Sequence, residues 1–67
     1  MRISYNKLWK MLIDQNMNKR DLAEKSGVST ASIAKLSKGA NITTDVLLKI
    51  CESMNCNIED ILETIDD

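Results

Sequence analysis

The side chains of this chain that could do chemistry are mainly basic, and they are distributed unevenly along the sequence. All nine Lys and Arg residues fall within residues 1–49, where four acidic residues accompany them and the net charge is +5. Residues 50–67 contain six acidic residues and no basic one, a net charge of −6. This division would let the first part bind a polyanion while the acidic part faces away, although small proteins also separate charge without any function.

The sequence offers few groups for catalysis or metal binding. It has no histidine, which is the commonest general base and zinc ligand, and its two glycines cannot form a glycine-rich phosphate loop. We therefore expect no enzyme activity, no cofactor and no metal site. Cys51 and Cys56 lack the C-x-x-C spacing, and we predict two small apolar residues in a reducing cytoplasm, with a redox or metal role as the alternative.

Length and composition indicate one globular domain over residues 1–67. The chain has 67 residues, of which 43% are hydrophobic and 28% charged, a balance typical of globular proteins. No apolar run approaches the ~20 residues that span a bilayer, and no secretory signal is visible at the start. We expect a cytoplasmic protein that does not bind membranes, and no separate dimerisation domain.

Apolar residues recur at helical spacing along the chain, and strand-like alternation is absent. The spacing predicts an all-α fold of five short helices. They cover residues 4–15, 19–26, 30–38, 44–54 and a stretch that begins after residue 57. Residues that cap helices, or end them in the left-handed conformation, stand at these boundaries. They are Asn16, Asn18, Gly27, Ser29, Gly39, Thr43, Asn55 and Asn57.

The same spacing places apolar side chains on one side of each helix, where they can pack in the core. In the first helix they are Tyr5, Leu8, Trp9, Leu12 and Ile13, in the fourth Leu47, Ile50, Cys51 and Met54, and in the fifth Ile58, Ile61, Leu62 and Ile65. The first set covers an arc of roughly 200°, which is wider than one packed face requires.

The second and third predicted helices are joined by a short turn, as in a helix-turn-helix unit. Ala23 is small enough for a close helix crossing, and Gly27 suits the turn. Ile33 and Leu36 would anchor the third helix to the core. Its free face then carries small or polar side chains, as a helix entering the major groove of DNA requires. These side chains are Thr30, Ala31, Ser32 and Lys35.

These features resemble the Xre-type, lambda-repressor-like (Cro-type) helix-turn-helix family, and in particular its compact single-domain bacterial subgroup. The resemblance covers residues 17–62 and is carried by MNKRDLAEKSGVSTASIAKLSKG followed by ITTDVLLKICESMNCNIEDIL. It implies a five-helix DNA-binding domain that acts as a sequence-selective transcriptional regulator, most commonly a repressor, on double-stranded DNA.

The resemblance also implies roles for individual residues. Base contacts would come from Thr30, Ala31, Ser32 and Lys35, where Lys35 donates to guanine and Ala31 touches a thymine methyl group. Contacts to the DNA backbone would come from Asn18, Lys19, Ser29, Lys38, Asn41 and Thr43. Many relatives carry glutamine or arginine where Ala31 and Ser32 stand, which implies fewer direct base contacts here and more dependence on DNA shape.

Two questions stay open at this point, namely the dimer surface and the class of function. A homodimer on DNA would use either the predicted fifth helix and the loop before it, or the surplus apolar arc of the first helix, chiefly Tyr5, Trp9 and Ile13. The alternative function is a protein-interaction module on the same fold, such as an antitoxin. That module would depend on the first-helix patch rather than on Lys35.

Overall fold

The structure is a computed structural model, and it describes residues 1–66. In chain order it contains a strand, four α-helices, a 3₁₀ turn and a second strand. These are β1 (Arg2–Ser4), α1 (Asn6–Asp14), α2 (Lys19–Ser26), α3 (Thr30–Ser37), α4 (Thr44–Met54), the 3₁₀ turn (Ile58–Asp60) and β2 (Glu63–Ile65).

The predicted fifth helix is wrong, and the first helix begins two residues later than predicted. β1 and β2 pair antiparallel, with Arg2 opposite Ile65 and Ser4 opposite Glu63. The pairing draws the two ends of the described chain into one ribbon, so residues 63–65 are extended rather than helical. The described fold is therefore mainly helical with four α-helices, and it includes strands that the sequence pattern does not reveal.

Three helices begin at a side chain that accepts a hydrogen bond from a backbone N–H of the first turn. Asn18 Oδ1 accepts from the Asp21 N–H at 2.8 Å, and the Asp21 carboxylate accepts from the Asn18 N–H at 3.0 Å. Ser29 and Thr43 cap α3 and α4 through the N–H groups three residues on. The predicted caps are therefore confirmed, and each satisfies a backbone donor that its helix leaves unpaired.

All four helices are followed within two residues by a residue in the left-handed conformation, as predicted. Asn16, Gly27, Gly39 and Asn55 have φ values between 54° and 75°. After α1, α3 and α4, an N–H donates to the carbonyl five residues back, from Met17 to Leu12 at 2.8 Å, Ala40 to Lys35 at 3.0 Å and Cys56 to Cys51 at 3.0 Å. This pattern is the Schellman motif, which satisfies carbonyls at the end of a helix.

The core draws side chains from all four helices and from the chain on either side of them. Its fully buried members are Leu8, Leu22, Leu36, Ile50 and Ile61. The predicted inner face of α4 is confirmed, because Leu47, Ile50, Cys51 and Met54 are all buried. Ile61 reaches the core from the segment after the 3₁₀ turn, whereas Ile58 is exposed.

The wide apolar arc of α1 resolves into side chains of different burial. Tyr5, Leu8 and Leu12 belong to the core, and burial raises the pKa of the Tyr5 hydroxyl above its usual value. Trp9 is half-buried against the core, whereas Ile13 is 71% exposed. No helix within the part of the chain that the structure describes is long and apolar enough to cross a membrane.

A matched pair of leucines on α4 tests this core. Leu47 is 6% exposed and Leu48 is 52% exposed, so the same substitution removes a packed side chain in one case and a solvated one in the other. Leu47→Ala should lower the free energy of unfolding by about 2–5 kcal/mol, and Leu48→Ala by less than about 1 kcal/mol. Urea denaturation of both variants measures the difference, and equal losses would mean that the face of α4 is assigned wrongly.

Candidate nucleic-acid interface

The turn between α2 and α3 is built by side chains as well as by glycine. Gly27 has φ +75° and ψ 8°, a conformation that L-residues adopt at a cost, and its N–H donates to the Ala23 carbonyl at 3.0 Å. The Ser26 hydroxyl donates to the Leu22 carbonyl at 2.7 Å and accepts from the Val28 N–H at 3.2 Å. Val28 is buried directly after this turn, so the start of α3 is fixed to the core.

α3 is anchored on one face and exposed on the other. Ile33 and Leu36 are buried, as predicted, and they hold the helix against the core. Of the four predicted base-contact residues, Thr30, Ala31 and Lys35 are exposed, whereas Ser32 is half-buried. The outer face of α3 therefore presents small and polar side chains together with one cation.

Ser32 and its predicted neighbour in the interface, Ser29, are hydrogen-bonded to each other. The Ser29 hydroxyl accepts from the Ser32 N–H at 3.2 Å and donates to Ser32 Oγ at 3.1 Å. The hydroxyl hydrogen of Ser29 is thus used within the helix cap. Ser32 keeps its own hydroxyl hydrogen for another acceptor.

A groove between the start of α2 and the outer face of α3 brings several predicted interface residues together. Lys19, Thr30 and Lys38 line it, although they come from two helices and the residue that follows α3. Lys38 also lines a second depression that it shares with Asn41. The predicted contacts of Lys19, Thr30, Lys38 and Asn41 with DNA thus fall on one continuous side of the molecule.

Sequence reasoning missed three side chains in this groove, namely Arg20, Ala34 and Ser37. Thr30, Ala34 and Lys38 lie four residues apart, which places them in one row along α3. That spacing is visible in the sequence and would have identified Ala34. Arg20 pairs with Glu24 at 3.7 Å, but both side chains are largely exposed, so this pair holds Arg20 only weakly.

Lys19 lies against the aromatic ring of α1. Its Nζ is 4.8 Å from the centre of the Trp9 ring, within the range of a cation–π interaction. The ring therefore supports an ammonium group that lines the groove. Trp9 was predicted to belong to a partner surface, and its neighbour in the structure is a residue of the candidate interface.

The remaining predicted residues occupy helix starts or the first helix. Asn18 and Thr43 are exposed and use a side-chain oxygen to cap α2 and α4. Of the predicted partner surface, Tyr5 is buried, Trp9 is half-buried and Ile13 alone is fully exposed. Tyr5 is therefore a core residue, and the exposed apolar surface of α1 is narrower than predicted.

The described residues contain no group of three or more His, Cys, Asp or Glu side chains that could hold a metal ion. The cations of the interface come from Lys19, Arg20, Lys35 and Lys38, and all four are exposed. An exposed set of cations beside small polar side chains can bind phosphate groups and base edges.

This chain is similar to known proteins in both sequence and fold. The crystal structure of the transcriptional regulator VanUg superimposes on this chain with a TM-score of 0.90 and 52% sequence identity, over 98% of this chain and 88% of that one. Comparison with curated proteins gives no significant match. The family model of the Cro/C1-type HTH DNA-binding domain matches residues 7–67. The chain therefore belongs to the Cro/C1-type helix-turn-helix family of DNA-binding domains.

Proposed function

We propose that this protein is a transcriptional regulator that binds double-stranded DNA at selected sequences and acts as a repressor. α3 enters the major groove, and its bound position covers the site against other proteins. The observation that carries the proposal is the groove between α2 and α3, where Lys19, Thr30 and Lys38 converge beside the exposed face of α3. The relation to VanUg, a transcriptional regulator, supports the same function.

Base recognition rests on a short set of side chains. Lys35 donates to the O6 and N7 atoms of guanine, and Ala31 contacts the methyl group of thymine. Thr30 and Ser32 add hydroxyl groups that donate or accept. Because three of these four side chains are small, we expect part of the sequence preference to come from DNA shape and flexibility.

Backbone recognition rests on the groups around this face. Lys19 and Lys38 neutralise phosphates from the two ends of the groove, while Asn18, Asn41 and Thr43 donate hydrogen bonds to phosphate oxygens. Ser29 contributes through the helix start that it caps, since its own hydroxyl hydrogen goes to Ser32. Backbone N–H groups at the starts of α2 and α4 favour the same anions.

We propose that two copies bind DNA together as a homodimer, on half-sites one helical turn, about 34 Å, apart. One domain of this size makes few base contacts, so two copies are needed for a selective site. The 3₁₀ turn carries the exposed apolar residue Ile58, and Leu48 of α4 lines the same depression. Trp9 and Ile13 offer the other surface.

The alternative function, a protein-interaction module such as an antitoxin, depends on the apolar surface of α1. Tyr5 lies in the core and Lys19 lies on the Trp9 ring, which leaves Ile13 as the main exposed apolar side chain of that helix. The observations therefore favour DNA binding over this alternative.

Selection from random-sequence DNA tests the proposed function directly. The purified protein should enrich a two-fold-symmetric motif at about 100 mM salt, and affinity for that motif should fall steeply as salt rises. Binding without any enrichment, at every salt concentration, would contradict a sequence-selective regulator and favour the interaction module.

Lys35→Ala tests base recognition by α3. Loss of a donor pair to guanine should cost about 1–3 kcal/mol on the selected site and relax the preference at one position of each half-site. Competition binding on the selected site and its single-base variants measures this change. An equal loss on every sequence would mean that Lys35 contacts phosphate instead.

Lys38→Ala tests backbone recognition and should behave differently. Loss of one phosphate contact per subunit should weaken binding on all sequences and reduce the salt dependence by about one unit for each subunit. Lys25→Ala is the matched control, because Lys25 is also an exposed lysine at the end of a helix but does not line the groove. Equal effects of the two variants would indicate long-range charge alone.

Trp9 variants test whether the ring supports Lys19 or belongs to the dimer surface. Trp9→Leu should weaken DNA binding roughly two- to five-fold, as expected for an exposed cation–π contact, and Trp9→Phe should retain most of the affinity. In a Lys19→Met background, Trp9→Leu should have no further effect. A loss that is independent of Lys19, with a lower mass in light scattering, would assign Trp9 to the dimer surface.

A further inference from the structure

The two cysteines of the chain meet at the end of α4. Cys51 lies in the last turn of the helix, Asn55 follows in the left-handed conformation with φ 54°, and Cys56 is the next residue. The Cys56 N–H donates to the Cys51 carbonyl at 3.0 Å, and the Asn55 N–H donates to the Glu52 carbonyl at 3.4 Å. These are the two hydrogen bonds of a Schellman motif, in which the side chains at the positions of Cys51 and Cys56 are frequently in contact.

The side chains of the two cysteines are close to each other, as this backbone geometry favours. The Cys51 and Cys56 side chains lie close enough that each affects the pKa of the other. At the end of α1, Leu12 and Met17 occupy the corresponding positions of the same motif. An apolar pair is thus sufficient to complete this helix end, and two thiols add the capacity to be joined by a covalent bond.

We propose that Cys51 and Cys56 are an oxidation site, which a hydroperoxide converts into an intrachain disulfide across the end of α4. Disulfides need α-carbons roughly 4.4–6.8 Å apart, and a backbone hydrogen bond between the two residues holds their α-carbons close. Both cysteines are unbridged in the structure, Cys51 buried and Cys56 half-buried, so the outer thiol is the one that a small oxidant reaches.

The reaction balances in two steps. The sulfur of Cys56 attacks one oxygen of the hydroperoxide, the O–O bond breaks, and the products are a sulfenic acid on Cys56 and an alcohol, or water when the oxidant is hydrogen peroxide. The sulfur of Cys51 then attacks the sulfur of Cys56. The hydroxyl group leaves as water with the proton of Cys51, and the disulfide remains.

The groups around the two thiols affect the rate of this reaction through the thiol pKa values. Burial raises the pKa of both thiols, and the carboxylate of Asp60 raises both further, with Glu59 adding to the effect on Cys51. The hydrogen bond from its neighbour opposes the increase at Cys51. Because the thiolate is the reacting form, both cysteines should stay reduced at neutral pH under mild conditions, and oxidation should accelerate as the pH rises above neutrality.

The experiment compares reduced and peroxide-treated protein after the remaining thiols are alkylated. Treated protein should lose two hydrogen atoms in mass, migrate as a monomer without reductant, and yield one peptide that links residues 51 and 56. Thermal unfolding should then occur at a higher temperature than in the reduced protein, and dithiothreitol should abolish the shift, because a disulfide that the native geometry favours must stabilise the native state.

Cys56→Ser is the control, since it removes the half-buried thiol and leaves the buried one in the core. It should show neither the mass change nor the shift in unfolding temperature. Dimers linked between chains, oxidation of Cys56 to a sulfinic acid without a bridge, or a bridge that lowers the unfolding temperature would each overturn the proposal. None of these measurements involves DNA, so their outcome is independent of the proposed function.

Discussion

Short helices impose a demanding constraint on backbone hydrogen bonding in this fold. Every α-helix leaves four N–H groups and four carbonyl groups without a partner inside the helix, and helices of 8 to 11 residues consist largely of such ends. The chain meets this demand locally, with capping side chains at the starts of α2, α3 and α4 and left-handed residues after all four helices. The arrangement of the candidate interface depends on these ends.

The turn between α2 and α3 shows how a helix end becomes part of the interface. Gly27 reverses the chain, and the Ser26 hydroxyl hydrogen-bonds to the Leu22 carbonyl before the turn and the Val28 N–H after it. Val28 is buried in the core. Ser29 then starts α3 at a fixed orientation. Because Ile33 and Leu36 anchor the inner face, the row of Thr30, Ala34 and Lys38 has to face outward, beside the start of α2.

The same constraint explains how much of the fold the sequence predicts. Caps, left-handed residues and helical spacing are local signals, and they predict α2 to α4 to within a residue or so. The end of the chain differs, because Ile58, Ile61, Leu62 and Ile65 fit helical spacing by coincidence. Only Ile61 is fully buried, and pairing with a strand 59 to 63 residues earlier in the chain determines the conformation of residues 63–65. No local pattern carries that information.

The candidate site was predictable to a similar degree. Burial along α3 follows the helical spacing of its apolar residues, so the sequence predicts its exposed face. The contact of Lys19 with Trp9 joins two different helices, and no local pattern in the sequence predicts it. That contact gives part of the surplus apolar arc on α1 a role other than a partner surface. An ammonium group over an aromatic ring occupies surface that a second protein would otherwise cover. The arc therefore divides between the core, through Tyr5, and the support of a cation beside α3, through Trp9, while Ile13 stays exposed.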